Sequence, residues 1–221
     1  MTLALAAVLG LLFCAGLYLG DGRIEAGTSH MGALRGTEVE HGAWWLLVSA
    51  MFLHWSITHI AMNGLALLNL APLVERVFGA RRLLIAFVLC GIGGNALVAF
   101  VKPDQLEAGA SSSIWGLLGL IGVLSLRPGG LIPEQTAAAL RPGILRAIVI
   151  NAAISLLPGV SGLAHLGGAI TGAALGFLPW FRQGIAEKDE PSSIVFAAYL
   201  AGAAALAGIG LGIWHGIAPA Q

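Results

Sequence analysis

A serine and a histidine, each near the start of an apolar segment, are the residues that most directly predict chemistry in this sequence. Ser111 opens the run Ser111-Ser112-Ser113-Ile114-Trp115-Gly116, and His165 begins His165-Leu166-Gly167-Gly168. A serine hydroxyl is a weak nucleophile that needs a neighbouring base, and imidazole most often supplies it. We therefore predict a pair that attacks carbonyl carbons, with Ser111 as the nucleophile and His165 as the base.

Further polar residues could serve the oxyanion that such an attack creates. His59 and Asn63 are four residues apart, so they share one helix face, and both can donate hydrogen bonds. The main-chain N–H of Ser111, near a helix N-terminus, adds a third donor. His54 lies off that face, and we interpret it as a supporting residue in the preceding loop. Trp115, one turn beyond Ser111, could stack on the base, although ordinary packing explains its spacing equally well.

The acidic residues argue against a Ser-His-Asp triad. Asp21, Asp104 and Asp189 lie in predicted loops, and Glu75 lies near the far end of its apolar segment. A Ser-His dyad is the arrangement that this inventory allows.

The main chemical alternative is a metal site built from His54, His59 and His165. The chain lacks the HExxH pattern, and no carboxylate lies near these histidines in the sequence. Catalytic zinc sites commonly combine histidine ligands with a nearby carboxylate, as in the HExxH pattern. We expect neither a metal nor an organic cofactor.

The composition places these residues in a membrane. Of the 221 residues, 57% are hydrophobic and 10% are charged, and the mean hydropathy is +0.88. Soluble domains carry about 25% charged residues. The formal net charge is zero, so nothing suggests a nucleic-acid partner. Because no strand-like alternation is present, we predict an all-α membrane protein that forms one domain over residues 1–221.

Seven apolar segments are predicted to form its helices. The fourth and fifth are shorter than the roughly 17–25 residues of a typical spanning helix. The long loop before the second segment ends in Trp44-Trp45-Leu46-Leu47, which fits an interfacial segment and a packed loop end equally well. The first six helices would form a core over about residues 1–182, with an extra helix at about 192–214. The segments cover about residues 3–20, 57–74, 83–101, 111–126, 143–158, 163–181 and 192–214.

Basic residues predict the orientation. If the first helix runs outward from the cytoplasm, eight of the eleven lysines and arginines lie in the cytoplasmic loops 74–83, 127–146 and 182–191. The N-terminus is then cytoplasmic and the C-terminus outside. We expect a multi-pass protein of a cell membrane, such as the bacterial inner membrane.

In this topology the polar sites share one depth. His59, Ser111 and His165 precede the arginines at the inner ends of their segments by 17, 16 and 17 residues. At 1.5 Å per residue they lie roughly 24–26 Å above those arginines, in a hydrocarbon core of about 30 Å. Polar groups at this depth usually face a bundle interior or a cavity. Their common height favours one shared site.

Together these motifs resemble those of the rhomboid family of intramembrane serine proteases, over about residues 40–182. Gly109-Ala110-Ser111-Ser112 is similar to the family's GxSG motif. The stretch from His54 through His59 to Asn63 resembles its HxxxxHxxxN motif, and Ala164-His165-Leu166-Gly167-Gly168 resembles its catalytic histidine segment.

The resemblance implies a six-helix bundle, here with a seventh helix added. It assigns the nucleophile to Ser111, the base to His165, the oxyanion hole to His59 and Asn63, and a stacking aromatic to Trp115. The implied partners are the lipid bilayer and membrane proteins whose transmembrane segments are cut near the outer face. The oligomeric state stays open.

Two positions depart from the family pattern. Ser112 replaces the second glycine of GxSG, which predicts either crowding against the sixth helix or a competing hydrogen bond. Trp44-Trp45 stands where the family has a Trp-Arg pair. The alternative function is a catalytically inactive rhomboid-like protein that binds membrane clients. A transporter is a weaker alternative, because no internal repeat is evident.

Overall fold

The computed structural model describes residues 1–182 and 191–217, and the described chain is built from helices. One isolated antiparallel β-bridge, between Leu34 and Glu107, joins the first long loop to the loop before Ser111. Most of the predicted connector at 182–191, with Asp189, lies outside the described residues. Numbered in chain order, the α-helices are α1 Thr2–Leu19, α2 Ile24–His30, α3 Gly36–Glu40, α4 Leu46–Ser49, α5 Ile57–Phe78, α6 Ala80–Val101, α7 Ser111–Leu126, α8 Glu134–Ile154, α9 Gly162–Phe177, α10 Pro179–Arg182 and α11 Ser192–Ile217.

Each of the seven predicted segments overlaps a helix, which confirms the all-α membrane class. Within the described ranges, α1, α5, α6, α8 and α11 are long and apolar enough to cross a membrane. The apolar helices α7 and α9 are shorter, with 16 residues each. The prediction of a short fourth segment is therefore correct.

The fifth and sixth segments differ from their predicted lengths. α8 has 21 residues and begins at Glu134, after Pro133, with a polar first turn that hydropathy alone overlooks. The Glu134 carboxylate in that turn favours a helix start. Pro142 lies inside this helix rather than before it. The sixth segment is the short one, because Leu178 precedes Pro179 and adopts an extended conformation that ends α9.

Glycines bring α7 and α9 into backbone contact. A Cβ added to Gly168 would overlap the carbonyl oxygen of Ser112, and one added to Gly172 would overlap that of Gly116. Small residues permit such close approach between membrane helices. This contact fixes the helix that carries His165 against the helix that carries Ser111.

Arginines cap helix ends at the opposite end of the bundle. Arg82 is 1% exposed, and its Nε donates to the Phe181 carbonyl oxygen at 2.8 Å while Nη1 donates to that of Phe78 at 3.3 Å. Arg182 Nη2 donates to the carbonyl oxygen of Arg127 at 2.7 Å. These bonds satisfy carbonyl groups that have no partner within their own helices.

The loop between α1 and α5 packs onto the bundle. Leu46 is buried with Val98 of α6, whereas Trp44 is 54% exposed. The Trp45 ring stacks on His215 of α11, with ring centroids 4.5 Å apart. Of the two interpretations of this loop end, the packed one therefore describes Leu46. The seventh helix is held partly by this loop and partly by α6.

Candidate active site

Ser111 is the first residue of α7, and an unusual glycine precedes it. Gly109 has φ +147°, a conformation that side-chain-bearing residues rarely adopt, and its N–H donates to the Ala50 carbonyl oxygen at 3.0 Å. A Cβ at this position would lie 2.8 Å from Cε1 and Nε2 of His59 and 3.8 Å from Ser111 Oγ. The His59 ring and the Ser111 hydroxyl therefore border the same bare stretch of backbone.

The first two turns of α5 carry the two predicted oxyanion donors. Ser56 is its N-cap, and the Ser56 hydroxyl accepts the His59 main-chain N–H at 3.1 Å. Asn63 is buried, and its Nδ2 donates to the His59 carbonyl oxygen at 2.9 Å. The Asn63 amide has two hydrogens. One is used by this internal bond, which also fixes the side chain.

His54 lies beneath His59 as a neutral support. It is 1% exposed, its ring meets the His59 ring edge-on at 5.0 Å, and its carbonyl oxygen accepts a hydrogen bond from Thr28 Oγ1 at 2.9 Å. Neither ring nitrogen of His54 has a hydrogen-bond partner among the described residues. Burial, with a smaller contribution from His59, lowers the pKa of His54 to about 3. The ring is therefore uncharged at neutral pH.

His165 lies in the first turn of α9, where two side chains contact its ring. The Trp115 ring stacks on it with centroids 5.3 Å apart and an interplanar angle of 24°. On its edge, Nδ1 lies 2.5 Å from the Ser155 hydroxyl oxygen, just past the end of α8. Sequence reasoning missed Ser155, because the serine belongs to no motif and only the tertiary fold brings it to the histidine.

The first turns of α7 and α9 adjoin, which brings Ser111 and His165 to one place. The backbone contact between Ser112 and Gly168 lies one residue after Ser111 and three after His165. In this part of the described chain the two side chains do not share a hydrogen bond. Catalytic hydrogen bonds are often loose without substrate and tighten in the complex.

The Ser112 side chain lies against α6. A Cβ on Gly94 of α6 would lie 2.5 Å from the Ser112 Cβ, so the glycine makes room for the hydroxymethyl group. Crowding against the sixth predicted helix, α9, stays a prediction: α9 contacts the Ser112 carbonyl oxygen at Gly168, and the Ala164 carbonyl oxygen of α9 borders Gly94 together with the Ser112 side chain. The Ser112 hydroxyl is buried and has no partner in the described ranges, so it forms no competing bond there.

Glu107 is a second residue that sequence reasoning missed. Its Oε2 accepts a hydrogen bond from Gln105 Nε2 at 3.1 Å, and it also bonds the hydroxyl of Ser161, the N-cap of α9. Burial raises the pKa of the Glu107 carboxyl, and these two bonds oppose that shift. The residue links the loop before Ser111 to the helix of His165.

The metal alternative gains no support from this geometry. Among residues 1–182 and 191–217, no three His, Cys, Asp or Glu side chains are grouped so that they could hold a metal ion. Cys14 and Cys90 are free, the first exposed and the second buried.

Comparison with known proteins gives consistent matches. A family model described as the Rhomboid domain matches residues 41–182. RHOMBOID-like protein 2 of Arabidopsis thaliana is 37% identical over 149 residues, which is 67% of this chain and 46% of that protein. Rhomboid protease GluP of Bacillus subtilis (strain 168) is 31% identical over 176 residues, 77% of this chain and 33% of that protein. Inactive rhomboid protein 2 of Homo sapiens is 30% identical over 168 residues, 75% of this chain and 19% of that protein. The chain thus spans less than half the length of each of these relatives.

Proposed function

The chain belongs to the rhomboid family, and we propose that it is an intramembrane serine endopeptidase that cleaves transmembrane segments of other membrane proteins. The observation that carries the proposal is the contact between the first turns of α7 and α9, which bear Ser111 and His165. The His59 ring beside Gly109 supports it further, because it supplies a donor next to the serine hydroxyl.

In the proposed reaction, Ser111 Oγ attacks the carbonyl carbon of the scissile peptide bond and transfers its proton to Nε2 of His165. The carbonyl oxygen becomes an oxyanion, which accepts hydrogen bonds from the His59 ring, from an Asn63 amide hydrogen and from the Ser111 main-chain N–H. Collapse of this intermediate breaks the C–N bond, and His165 returns its proton to the leaving amine. The acyl-Ser111 ester is then hydrolysed by the reverse use of the same groups.

Supporting residues act on the shape and charge of this site. Trp115 holds the plane of the His165 ring by stacking. His54 fills the space beneath His59 without adding charge. No side-chain carboxylate is assigned a role in the reaction, in agreement with a dyad.

The proposed position of the site is near the outer face of a cell membrane, with the N-terminus cytoplasmic and the C-terminus outside. The arginines at the other end of the helices support this orientation through the excess of basic residues in cytoplasmic loops. The substrates are then membrane proteins whose spanning segments unwind near that face. Unwinding is needed because the carbonyl carbon of a peptide bond within a helix is shielded from an attacking nucleophile.

The second candidate function is binding of membrane clients without cleavage. It is favoured by the relative that is named inactive, and within the described residues Ser111 and His165 share no hydrogen bond. The presence of Ser111, His165, His59 and Asn63 together favours the protease.

A fluorophosphonate probe tests the proposal on purified protein in detergent, because it reacts covalently with an activated serine. We expect labelling of the unmodified chain and a loss of at least about a thousandfold in Ser111→Ala. The matched control is Ser113→Ala, whose hydroxyl is buried against Met51 Sδ at 3.9 Å. It should label normally. Absence of labelling in folded protein would favour the client-binding function. Loss of labelling in Ser113→Ala but not in Ser111→Ala would identify Ser113 as the nucleophile instead.

A further inference from the structure

We propose that Ser155 is the positioning residue of His165, because its hydroxyl accepts the Nδ1–H bond and so leaves Nε2 unprotonated to act as the base. The inference rests on the proposed protease function and concerns the same site. It fills a gap in the dyad, since a base whose protonated nitrogen faces the serine cannot take up its proton.

The direction of the Ser155 hydrogen bonds follows from counting hydrogens. The Ser155 hydroxyl lies 2.8 Å from the carbonyl oxygen of Asn151 and 2.5 Å from His165 Nδ1. A carbonyl oxygen can only accept, so the single hydroxyl hydrogen goes to Asn151. The contact with His165 must then be donated by the ring, which requires a hydrogen on Nδ1. A neutral imidazole has only one such hydrogen, and Nε2 is left with a lone pair.

Local structure keeps Ser155 in this role. The residue is the C-cap of α8, and its bond to Asn151 is the back-bond that serine makes to the preceding helical turn. This bond fixes the side-chain rotamer and aims the oxygen lone pair away from α8. The hydroxyl therefore acts as a pre-set acceptor rather than as one of several equal rotamers.

Ser155 and Trp115 restrain different motions of the His165 ring. Stacking on Trp115 restrains tilting of the ring plane but permits rotation within that plane. A hydrogen bond at Nδ1 removes the in-plane freedom and also selects the tautomer. A neutral hydroxyl does this without the large desolvation cost of a buried carboxylate, which suits a site inside a membrane.

The contact also makes the base depend on α8. Ala137 is the buried residue of that helix, so α8 packs mainly along the surface of the bundle. Near its other end, Arg141 Nε donates to the Ser125 carbonyl oxygen at 2.8 Å. Displacement of the Ser155 end of α8 would break the hydrogen bond to His165 while leaving the α7–α9 contact intact.

The test compares fluorophosphonate labelling rates across pH for the full chain and three variants. Ser155→Ala should label about 10-fold more slowly, as expected for loss of one orienting hydrogen bond. Its half-maximal labelling should also move to lower pH, because Nδ1–H donates more strongly from the charged ring than from the neutral one. Ser155→Thr keeps the hydroxyl and should restore both values. Ser125→Ala is the matched control, because Ser125 makes a similar back-bond to Gly122 at 2.7 Å and contacts no histidine.

The outcomes separate this inference from the proposed function. If the unmodified chain labels and Ser155→Ala matches Ser125→Ala in rate and pH dependence, Ser155 has no positioning role. If the unmodified chain fails to label, the protease function fails, and the tautomer is then read from ¹⁵N spectra of labelled histidine, with His165→Ala to assign the signal. A ring protonated at Nδ1 is expected, and one protonated at Nε2 overturns the inference.

Discussion

The two ends of the helix bundle handle polar groups in opposite ways. At the arginine end, Arg82 and Arg182 donate to main-chain carbonyl oxygens at helix termini. At the site end, the His54 ring nitrogens and the Ser112 hydroxyl are buried without partners in the described chain. Hydrogen bonds at the first end stabilise the fold. At the second end, polar atoms are kept at a cost in stability, as is common where a site must receive another molecule.

The comparison predicts that activity and stability can be changed separately. Substitutions at the arginine end should lower the free energy of unfolding and leave the rate of each folded molecule unchanged. Substitutions of the proposed reacting groups at the site end should lower the labelling rate and leave the free energy of unfolding nearly unchanged, with Ser111→Ala as the extreme case. Three further substitutions, in order of decreasing effect, test this separation.

Arg82→Met should have the largest effect on stability. It leaves the carbonyl groups of Phe78 and Phe181 without their donor, which should cost roughly 2–6 kcal/mol at about 1–3 kcal/mol for each buried acceptor. Thermal unfolding in detergent measures this change. The neighbouring Arg81 is exposed, and Arg81→Met should cost less than about 1 kcal/mol. A large loss of labelling rate per folded Arg82→Met molecule would contradict the separation of stability and activity between the two ends.

Asn63→Ala should lower the cleavage rate about 10-fold or more, as expected for loss of one oxyanion donor. The matched control is Asn69→Ala on the same helix, because Asn69 Nδ2 makes the same kind of back-bond, to the Leu65 carbonyl oxygen at 2.7 Å. Both variants lose such a bond, at a buried position for Asn63 and an exposed one for Asn69, so the comparison is made on the rate of each folded molecule, and only Asn63→Ala should lower it. Equal cleavage rates in the two variants would show that Asn63 is not an oxyanion donor.

Ser112→Ala should have the smallest effect and the opposite sign in stability. It removes a buried hydroxyl without a partner, so the free energy of unfolding should rise by about 1 kcal/mol. The side chain lies against Gly94 and its hydroxyl bonds none of the proposed reacting groups, so the labelling rate should stay within about twofold of the original. A large loss of rate would mean that the Ser112 hydroxyl takes part in the reaction.

Local patterns in the sequence predicted much of the site. The i, i+4 spacing of His59 and Asn63, and of Ser111 and Trp115, depends only on helix geometry, so it could be read without a fold. Ser155 could not be found in this way, because its contact with His165 depends on how α8 and α9 meet.

The same distinction applies to the fold. Apolar runs located the helices, but the start of α8 at Glu134 lies in a polar stretch that carries no hydropathy signal. The stacking of Trp45 on His215 joins residues far apart in the chain, and no local sequence pattern predicts such a pair.

The shortness of α7 bears on the supply of water, the second reactant of any hydrolysis. With 16 residues α7 is about 24 Å long, whereas α5 and α6, with 22 residues each, are about 33 Å long. Counted from the arginines, Ser111 lies 16 residues from Arg127, whereas Val101 at the end of α6 lies 19 residues from Arg82, so α7 stops about 4.5 Å lower than α6. In the proposed protease, a helix that stops short of its neighbour would shorten the path by which water reaches Ser111 from the outer face. The rest of α7 is largely buried, so it would block that path toward the arginine end.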